Sequence, residues 1–437
     1  IALDPDYAEA YVALAETTIV LSTNHQVIPS DEAFERAEAL LNSAAELKPD
    51  LSDTYATLGL LKTSIWSVTR IGTENVEAES AFEQALALNP SNARAYNWFA
   101  ILRDAEDRTD EAIGYYHRSM QLDPLGRIPY NNLPGLYAQR GENEYAIKLW
   151  LNAITLHPDW PVPYQLMTLH LAALGRLDEA VAWQRLTMEK SLPSERIGNL
   201  TLGIYAEFDD YERAKALVDT IPVDQPVSAL SAGFRYLLDE QFEAANEFMI
   251  QVLESGDDFP TYMYGIASDV ALLAGDYDTA RKYMLVQNPV MERDTDLEIN
   301  RFTVRDAVKL AYILREEGEL ARSTALLNKT LPVVQSLPRL GVFGQGIRDV
   351  QVYALLGQVE DALAALREAV DAGYRSSVVA DQWLLRNDPY LSILHADERF
   401  QQIVDEIAVL NDQMYQRVLE AETSGNWQAL TDVVGAI

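Results

Sequence analysis

Residues 90–124 read PSNARAYNWFAILRDAEDRTDEAIGYYHRSMQLDP, and residues 124–158 read PLGRIPYNNLPGLYAQRGENEYAIKLWLNAITLHP. Laid one over the other, the two stretches share their landmarks at a constant offset of 34. Pro90, Pro124 and Pro158 keep that spacing, as do Tyr96, Tyr130 and Tyr164, and Ala112, Ala146 and Ala180. A fixed period between about 20 and 50 residues marks a repeat architecture. Within each unit the apolar residues recur at helical spacing, which predicts two amphipathic helices: Arg94 to Ala105 with Thr109 to Leu122, then Ile128 to Gln139 with Glu142 to Leu156.

The ladder residues suit a close-packed helix pair. Gly141 and Gly175 fall where a first helix must stop and turn, a place that favours a left-handed backbone. The alanines let the paired helices approach, while Tyr116 and Trp150 fill the volume opposite. Pro134 stands inside a first helix and is expected to kink it or delay its start. Upstream, Tyr11, Leu14 and Ala15 belong with Ala37, Leu41, Ala44 and Pro49, with about ten extra residues between Ile19 and Ser30. Tyr55, Leu58 and Gly59 belong with Ala78, Phe82, Ala85 and Pro90, with about seven extra between Lys62 and Val76. Past Pro193 the signature thins, but the hairpin rhythm continues through Tyr211 to Ala214, Phe242 to Ala245, Gly275 to Ala280, Gly318 to Leu320 and Gly357 to Ala362. About ten helix pairs are expected. Three regions follow: repeats over 1–193, divergent hairpins over 194–372, and capping helices over 373–437, since the last repeat of an array needs its apolar face covered.

These residues resemble the tetratricopeptide repeat, which pairs an aromatic and a small residue in its first helix with alanine, a bulky residue and a late proline in its second. The match is densest over residues 93–192. The resemblance implies an all-α, right-handed superhelical solenoid that binds proteins or peptides. The opening LDPDYAEAY, the later LNPSNARAY and LDPL, and the late Asp388-Pro389-Tyr390 followed by Glu398-Arg399-Phe400-Gln401 look like a narrower bacterial group. In that group such a region follows a winged-helix DNA-binding domain or a nucleotide cyclase domain, often with a membrane helix between. Because Ile1-Ala2-Leu3-Asp4-Pro5 reads as the end of a repeat, the chain is expected to be the sensory or partner-binding part of a longer signalling protein. The alternative is an oligomerisation module of a regulator or adenylate cyclase, possessing no peptide ligand and forming a homodimer. Its compartment would be the cytoplasm, or the periplasm if a membrane helix precedes it.

Asp and Glu number 67 against 34 Lys and Arg, a formal charge of −33. Such a surface repels phosphate backbones and anionic membranes, so this segment is expected to bind no nucleic acid, and it has no apolar run of the ~20 residues that a membrane crossing needs. Cysteine is absent, which removes disulfides, thiolate metal sites and thiol nucleophiles. His25, His117, His157, His170 and His395 include no pair at the i, i+4 spacing of a helical zinc site. Gly341, Gly344 and Gly346 lack a preceding strand and a following Gly-Lys-Ser/Thr, and Asp294 and Asp296 lack the glycine and distal glutamate of a calcium loop. The expectation is therefore a non-catalytic chain without metal or cofactor.

A binding site would lie on the face that the first helices present in common. Asn97, Asn131 and Gln165 recur there at 34-residue intervals, beside Arg94, Trp98 and Asn132. Amides both donate to and accept from an extended peptide backbone. Peptide-clamping members of the repeat family use asparagines and basic residues of first helices, and Arg94, Asn97 and Asn131 sit at comparable places. Two roles stay open for the amides, peptide capture or the register of neighbouring helices, and two for Trp98, partner anchor or core.

Overall fold

The structure, a computed structural model, describes residues 1, 3–23, 29–69, 73–190, 200, 203–218, 233, 235–255, 259, 261–292, 297–375 and 385–432. Residues 24–28 of the first inserted loop, which include His25, residues 70–72 of the second, Pro193, Asp294 and Asp296 lie outside the described residues. All regular structure among the described residues is helical, the tetratricopeptide-like hairpin array that the sequence predicts. The chain divides into two compact units, Ile1–Leu136 and Tyr137–Ile437.

The first unit stacks α1 (Ala8–Thr23) on α2 (Ser30–Leu47), α3 (Ser52–Thr69) on α4 (Glu74–Leu88), and α5 (Ala93–Ala105) on α6 (Thr109–Leu122), with the first helices α1, α3 and α5 packed in succession. Their core is built from the expected small and bulky residues, among them Ala15, Ala37, Ala44, Ala78, Phe82, Ala85 and Trp98. Gly59 shows why that position must be small: a Cβ there would stand 2.4 Å from the Phe82 ring. The proline and tyrosine ladders are chemically linked as well. The Tyr55 hydroxyl donates to the Pro49 carbonyl at 2.9 Å, Tyr130 to Pro124 at 3.1 Å and, in the second unit, Tyr164 to Pro158 at 3.1 Å. Each bond ties the start of a first helix to the turn that precedes it.

α7 (Arg127–Gln139) carries the unit boundary and is continuous through Pro134, which does not delay its start. The second unit continues with α8 (Asn143–Leu156), α9 (Pro161–Ala173), α10 (Leu177–Lys190), helical residues 203–207, α11 (Tyr211–Val218), helical residues 235–238 and α12 (Phe242–Leu253). Then come α13 (Thr261–Leu273), α14 (Tyr277–Gln287), α15 (Val304–Glu316), α16 (Leu320–Ser336), α17 (Arg348–Leu355) and α18 (Val359–Asp371). The 27-residue α19 (Glu398–Ser424) and the short α20 (Gln428–Thr431) end the described chain.

One local device punctuates the hairpins. Asp107, Gly141, Gly175, Asp209, Glu240, Gly275, Gly318 and Gly357 all have left-handed backbone, with φ between 54° and 86°. In every case the following residue donates its N–H to the carbonyl five residues back, as in Arg108 to Arg103 at 2.8 Å, Glu142 to Tyr137 at 2.9 Å and Asp210 to Tyr205 at 3.0 Å. This 6→1 closure satisfies carbonyls that the end of a first helix would leave orphaned.

The long helix α19 does more than cover the last hairpin. The amino-terminal half of α19 packs Phe400, Ile403 and Ile407 against α18 through Leu363, Leu366 and Val370. Its carboxy-terminal half packs Met414 and Val418 into a core shared with Trp183, Tyr205 and Phe208, so α19 also lies on α10. Arg417 bonds Asp178 at 2.6 Å, Arg213 bonds Glu422 at 2.9 Å, and the Tyr415 hydroxyl donates to Asp210. The second unit therefore closes on itself.

Candidate functional site

The face worth building up lies on α1, α3 and α5. Asn92 caps α5, its side-chain oxygen accepting from the Ala95 N–H at 3.0 Å, while its Nδ2 donates to Ser52 Oγ and Asp53 Oδ1, both at 2.8 Å. The start of α5 is thereby locked to the start of α3. Two residues on, the Arg94 guanidinium reaches Glu16 of α1 at 2.8 Å and lies 5.7 Å from the centre of the Trp98 ring. Arg94 is 45% exposed and Glu16 27%. Burial raises the Glu16 carboxyl above its ordinary value, the Arg94 charge opposes that rise, and the Asp53 charge adds to it.

Asn97 sits one helical turn beyond Arg94 on the same face of α5. It is 2% exposed, and neither its Oδ1 nor its Nδ2 has a hydrogen-bond partner among the described residues. Leaving a buried polar group unpaired costs about 1–3 kcal/mol. Trp98 corrects one of the two roles left open by the sequence: at 3% exposure it is core and offers no free ring to a partner.

The neighbouring amides are engaged. Asn131 Nδ2 donates to Asn132 Oδ1 at 2.7 Å, and Asn132 Nδ2 donates to the Tyr116 hydroxyl at 3.0 Å, which holds α7 in register on α6. Burial pushes the Tyr116 hydroxyl pKa up, so it stays protonated. Arg103, the other cation of this helix, is buried over the Phe99 ring at 4.5 Å and neutralised by Glu79, by Glu106 at 2.7 Å and by Glu111 at 3.5 Å. Gln165 is half-buried on α9 and belongs to the second unit. Glu16 and Asp53 were missed by the sequence reading. The signal was there: Asp53 precedes Tyr55 by two residues as Arg94 precedes Tyr96, and Glu16 follows Tyr11 by five as Ile101 follows Tyr96.

In the second unit a cleft of about 930 Å³ is lined by the turn 139–145, by Leu174 and Arg176, and by 336–340 with Ala372. Its arginines are already committed: Arg140 to Glu142 at 2.9 Å, Arg176 to Glu179 at 2.6 Å, and Arg339 to Asp349 at 2.8 Å. Between α13 and α15 the fully buried Lys309 pairs with the equally buried Asp269 and donates to Ser268 Oγ at 3.2 Å. His170 is buried beside Trp150, ring centres 4.9 Å apart. Among the described residues no group of three or more His, Asp or Glu is placed to hold a metal ion, and no helix is long and apolar enough to cross a membrane.

No known family model matches the chain. Among solved structures it is similar to the pilF protein of Pseudomonas aeruginosa, at 20% identity over 54% of this chain and 96% of that one, with a TM-score of 0.40. It is also similar to MamA, at 22% identity over 37% of this chain and 90% of that one, TM-score 0.31. A third likeness is to YrrB, described as a TPR protein with an unusual peptide-binding site, at 19% identity over 43% of this chain and 95% of that one, TM-score 0.31. Likenesses at this level assign this chain neither a partner nor an activity.

Proposed function

We propose that the chain is a non-catalytic scaffold that holds a protein or peptide, and that the face shared by α1, α3 and α5 is its binding surface. The observation that carries this reading is Asn97, a fully buried amide with both polar atoms unbonded, set on that face beside the exposed Arg94. An extended peptide backbone brings a donor and an acceptor together, which is what an amide in that state can bond. Asn132 ties α7 to α6 through Tyr116, and Asn131 bonds Asn132. The sequence resemblance to bacterial regulators and cyclases supports placing this scaffold as the sensory or partner-binding region of a larger signalling protein with a separate output domain.

The test is a panel of extended peptides of varied charge titrated against the full chain and its Asn97→Leu variant. Binding that weakens several-fold in the variant, with the fold intact by circular dichroism, is the expected result. No binding by any peptide up to millimolar concentration would refute the reading. A second reading, a purely structural array, is favoured by one observation: the second unit covers α10 with its own last helix. Analytical ultracentrifugation separates the two, since a structural array that works by assembly must associate at micromolar concentration.

A further inference from the structure

We infer that the α1/α3/α5 face recognises a basic peptide segment, a lysine or arginine of the partner taking the place of Arg94 on the Glu16 carboxylate. This rests on the peptide-binding reading above and adds the charge of the partner and the residue that selects it. Two carboxylates, Glu16 and Asp53, stand close enough to feel each other's charge, and the Arg94 guanidinium is bonded to Glu16. Among the described residues Asp53 is met by the neutral amide of Asn92. Of the ion pair, the carboxylate is the more buried partner and the guanidinium the more exposed one, lying as a long arm over Trp98. The fixed charge of the site is therefore negative and the movable one positive. A clamp for a peptide carboxylate needs the opposite arrangement, a fixed cation, and the buried cation on this helix, Arg103, is already surrounded by Glu79, Glu106 and Glu111.

Independent of charge, Asn97 lies one turn from Arg94 with an unbonded buried amide. When the Arg94 arm swings off Glu16, an incoming cationic side chain replaces it, and the backbone carrying that side chain passes within reach of the Asn97 turn. Farther along the same face of α1, seven residues before Glu16, a second carboxylate, Glu9, is exposed and pairs with the exposed Lys48 at 2.8 Å. A peptide with basic residues spaced along it would meet both carboxylates. The field of the unit favours such a ligand, since residues 1–136 hold 21 Asp and Glu against 9 Lys and Arg.

The experiment uses the full chain and three fluorescein-labelled twelve-residue peptides, alternating Lys-Ala, Glu-Ala and Ser-Ala, read by fluorescence anisotropy at moderate salt. The lysine peptide is expected to bind about tenfold more tightly than the serine peptide, with an affinity that falls as salt rises. Glu16→Gln should weaken it about tenfold, whereas Glu420→Gln, which removes the same charge from the exposed side of α19, should not. The decisive variant is Arg94→Ala, because removing a competing cation tightens binding of the lysine peptide several-fold. Preferred binding of the glutamate peptide that is lost with Arg94→Ala would overturn the inference and leave peptide binding standing. So would equal effects of Glu16→Gln and Glu420→Gln. Failure of all three peptides would overturn the binding reading itself.

Discussion

The two units are made of the same helical hairpin, yet they are finished differently. In the first, side-chain bonds join a hairpin to its neighbour: Asn92 to Ser52 and Asp53, Asn75 to Glu106 and Arg103 to Glu79. Among the described residues the Arg94–Glu16 pair alone reaches past a neighbour, from the third hairpin to the first. In the second, Asp178, Asp210 and Arg213 are bonded to Arg417, Tyr415 and Glu422, more than 200 positions along the chain. An array with nearest-neighbour contacts leaves the common face of its first helices available, whereas an array whose last helix returns to an earlier hairpin satisfies that part of its surface internally. The candidate site lies in the unit that shows no such return among its described residues.

The sharpest way to break this contrast is to unseat α19. Val418 is completely buried in the core shared with α10 and residues 203–208, an apolar surrounding for a carboxylate. Val418→Asp should cost about 4 kcal/mol, the range for an unpaired buried charge. Hydrogen exchange followed by mass spectrometry should show α10 and residues 203–207 losing protection together with α19, while α1 to α4 keep theirs. If α10 stays protected while α19 exchanges, the closure contributes nothing to the second unit and the contrast collapses.

Acid should separate the units as well. His170 is buried in the second unit, and burial, followed by the nearby positive charge of Arg176, drops its pKa from 6.5 to about 4, against a small opposing contribution from the Asn143 backbone. The unfolded chain takes up this proton near 6.5 and the folded one only near 4, so between those values the unfolded state binds more protons. Stability thus falls as pH drops from about 6.5 toward 4, by about 3 kcal/mol in all for this group. Of the first unit's histidines, the one among the described residues, His117, is only half-buried. Denaturant titrations at pH 7 and pH 4.5 check this, and His170→Met should remove most of the acid loss while leaving the neutral-pH value within about 1.5 kcal/mol.

How far the chain could be read from its sequence follows the same division. The period, the helix pairs and the need for alanine and proline were legible because each is a local requirement repeated at fixed spacing, and the Tyr130–Pro124 bond shows why two of the ladders travel together. The hairpin turns after Gly175 were harder, since Asp209 and Glu240 occupy the left-handed position that glycine marks elsewhere. The return of α19 to α10 was not legible. Its apolar stripe predicts a buried face without naming what buries it, and nothing marks Arg417 and Asp178 as partners. At the candidate site the spacing put Arg94, Asn97 and Trp98 near one face of a helix. A ladder fixes an angle around a helix axis, however, and says nothing of what covers it, so the burial of Trp98 and the Glu16 partner of Arg94 had to come from the packing.

The smallest effect tests the amides themselves. If Asn132 works in register, its value lies in the bond to the Tyr116 hydroxyl, which is buried and has few alternatives. Asn132→Ala should then cost about 1–2 kcal/mol by stranding that hydroxyl. Tyr116→Phe strands the Asn132 amide, but that residue is only half-buried and turns to water more cheaply. The double variant Asn132→Ala with Tyr116→Phe should be more stable than the sum of the two losses predicts, by about 1 kcal/mol, because neither partner remains to be stranded. Peptide affinity should not move in Asn132→Ala and should move in Asn97→Leu. That split would assign register to the bonded amide and recognition to the unbonded one, although both stand on first helices of the same array. Strict additivity, or a loss of binding in Asn132→Ala, would mean that the bond between α6 and α7 serves the ligand rather than the stack.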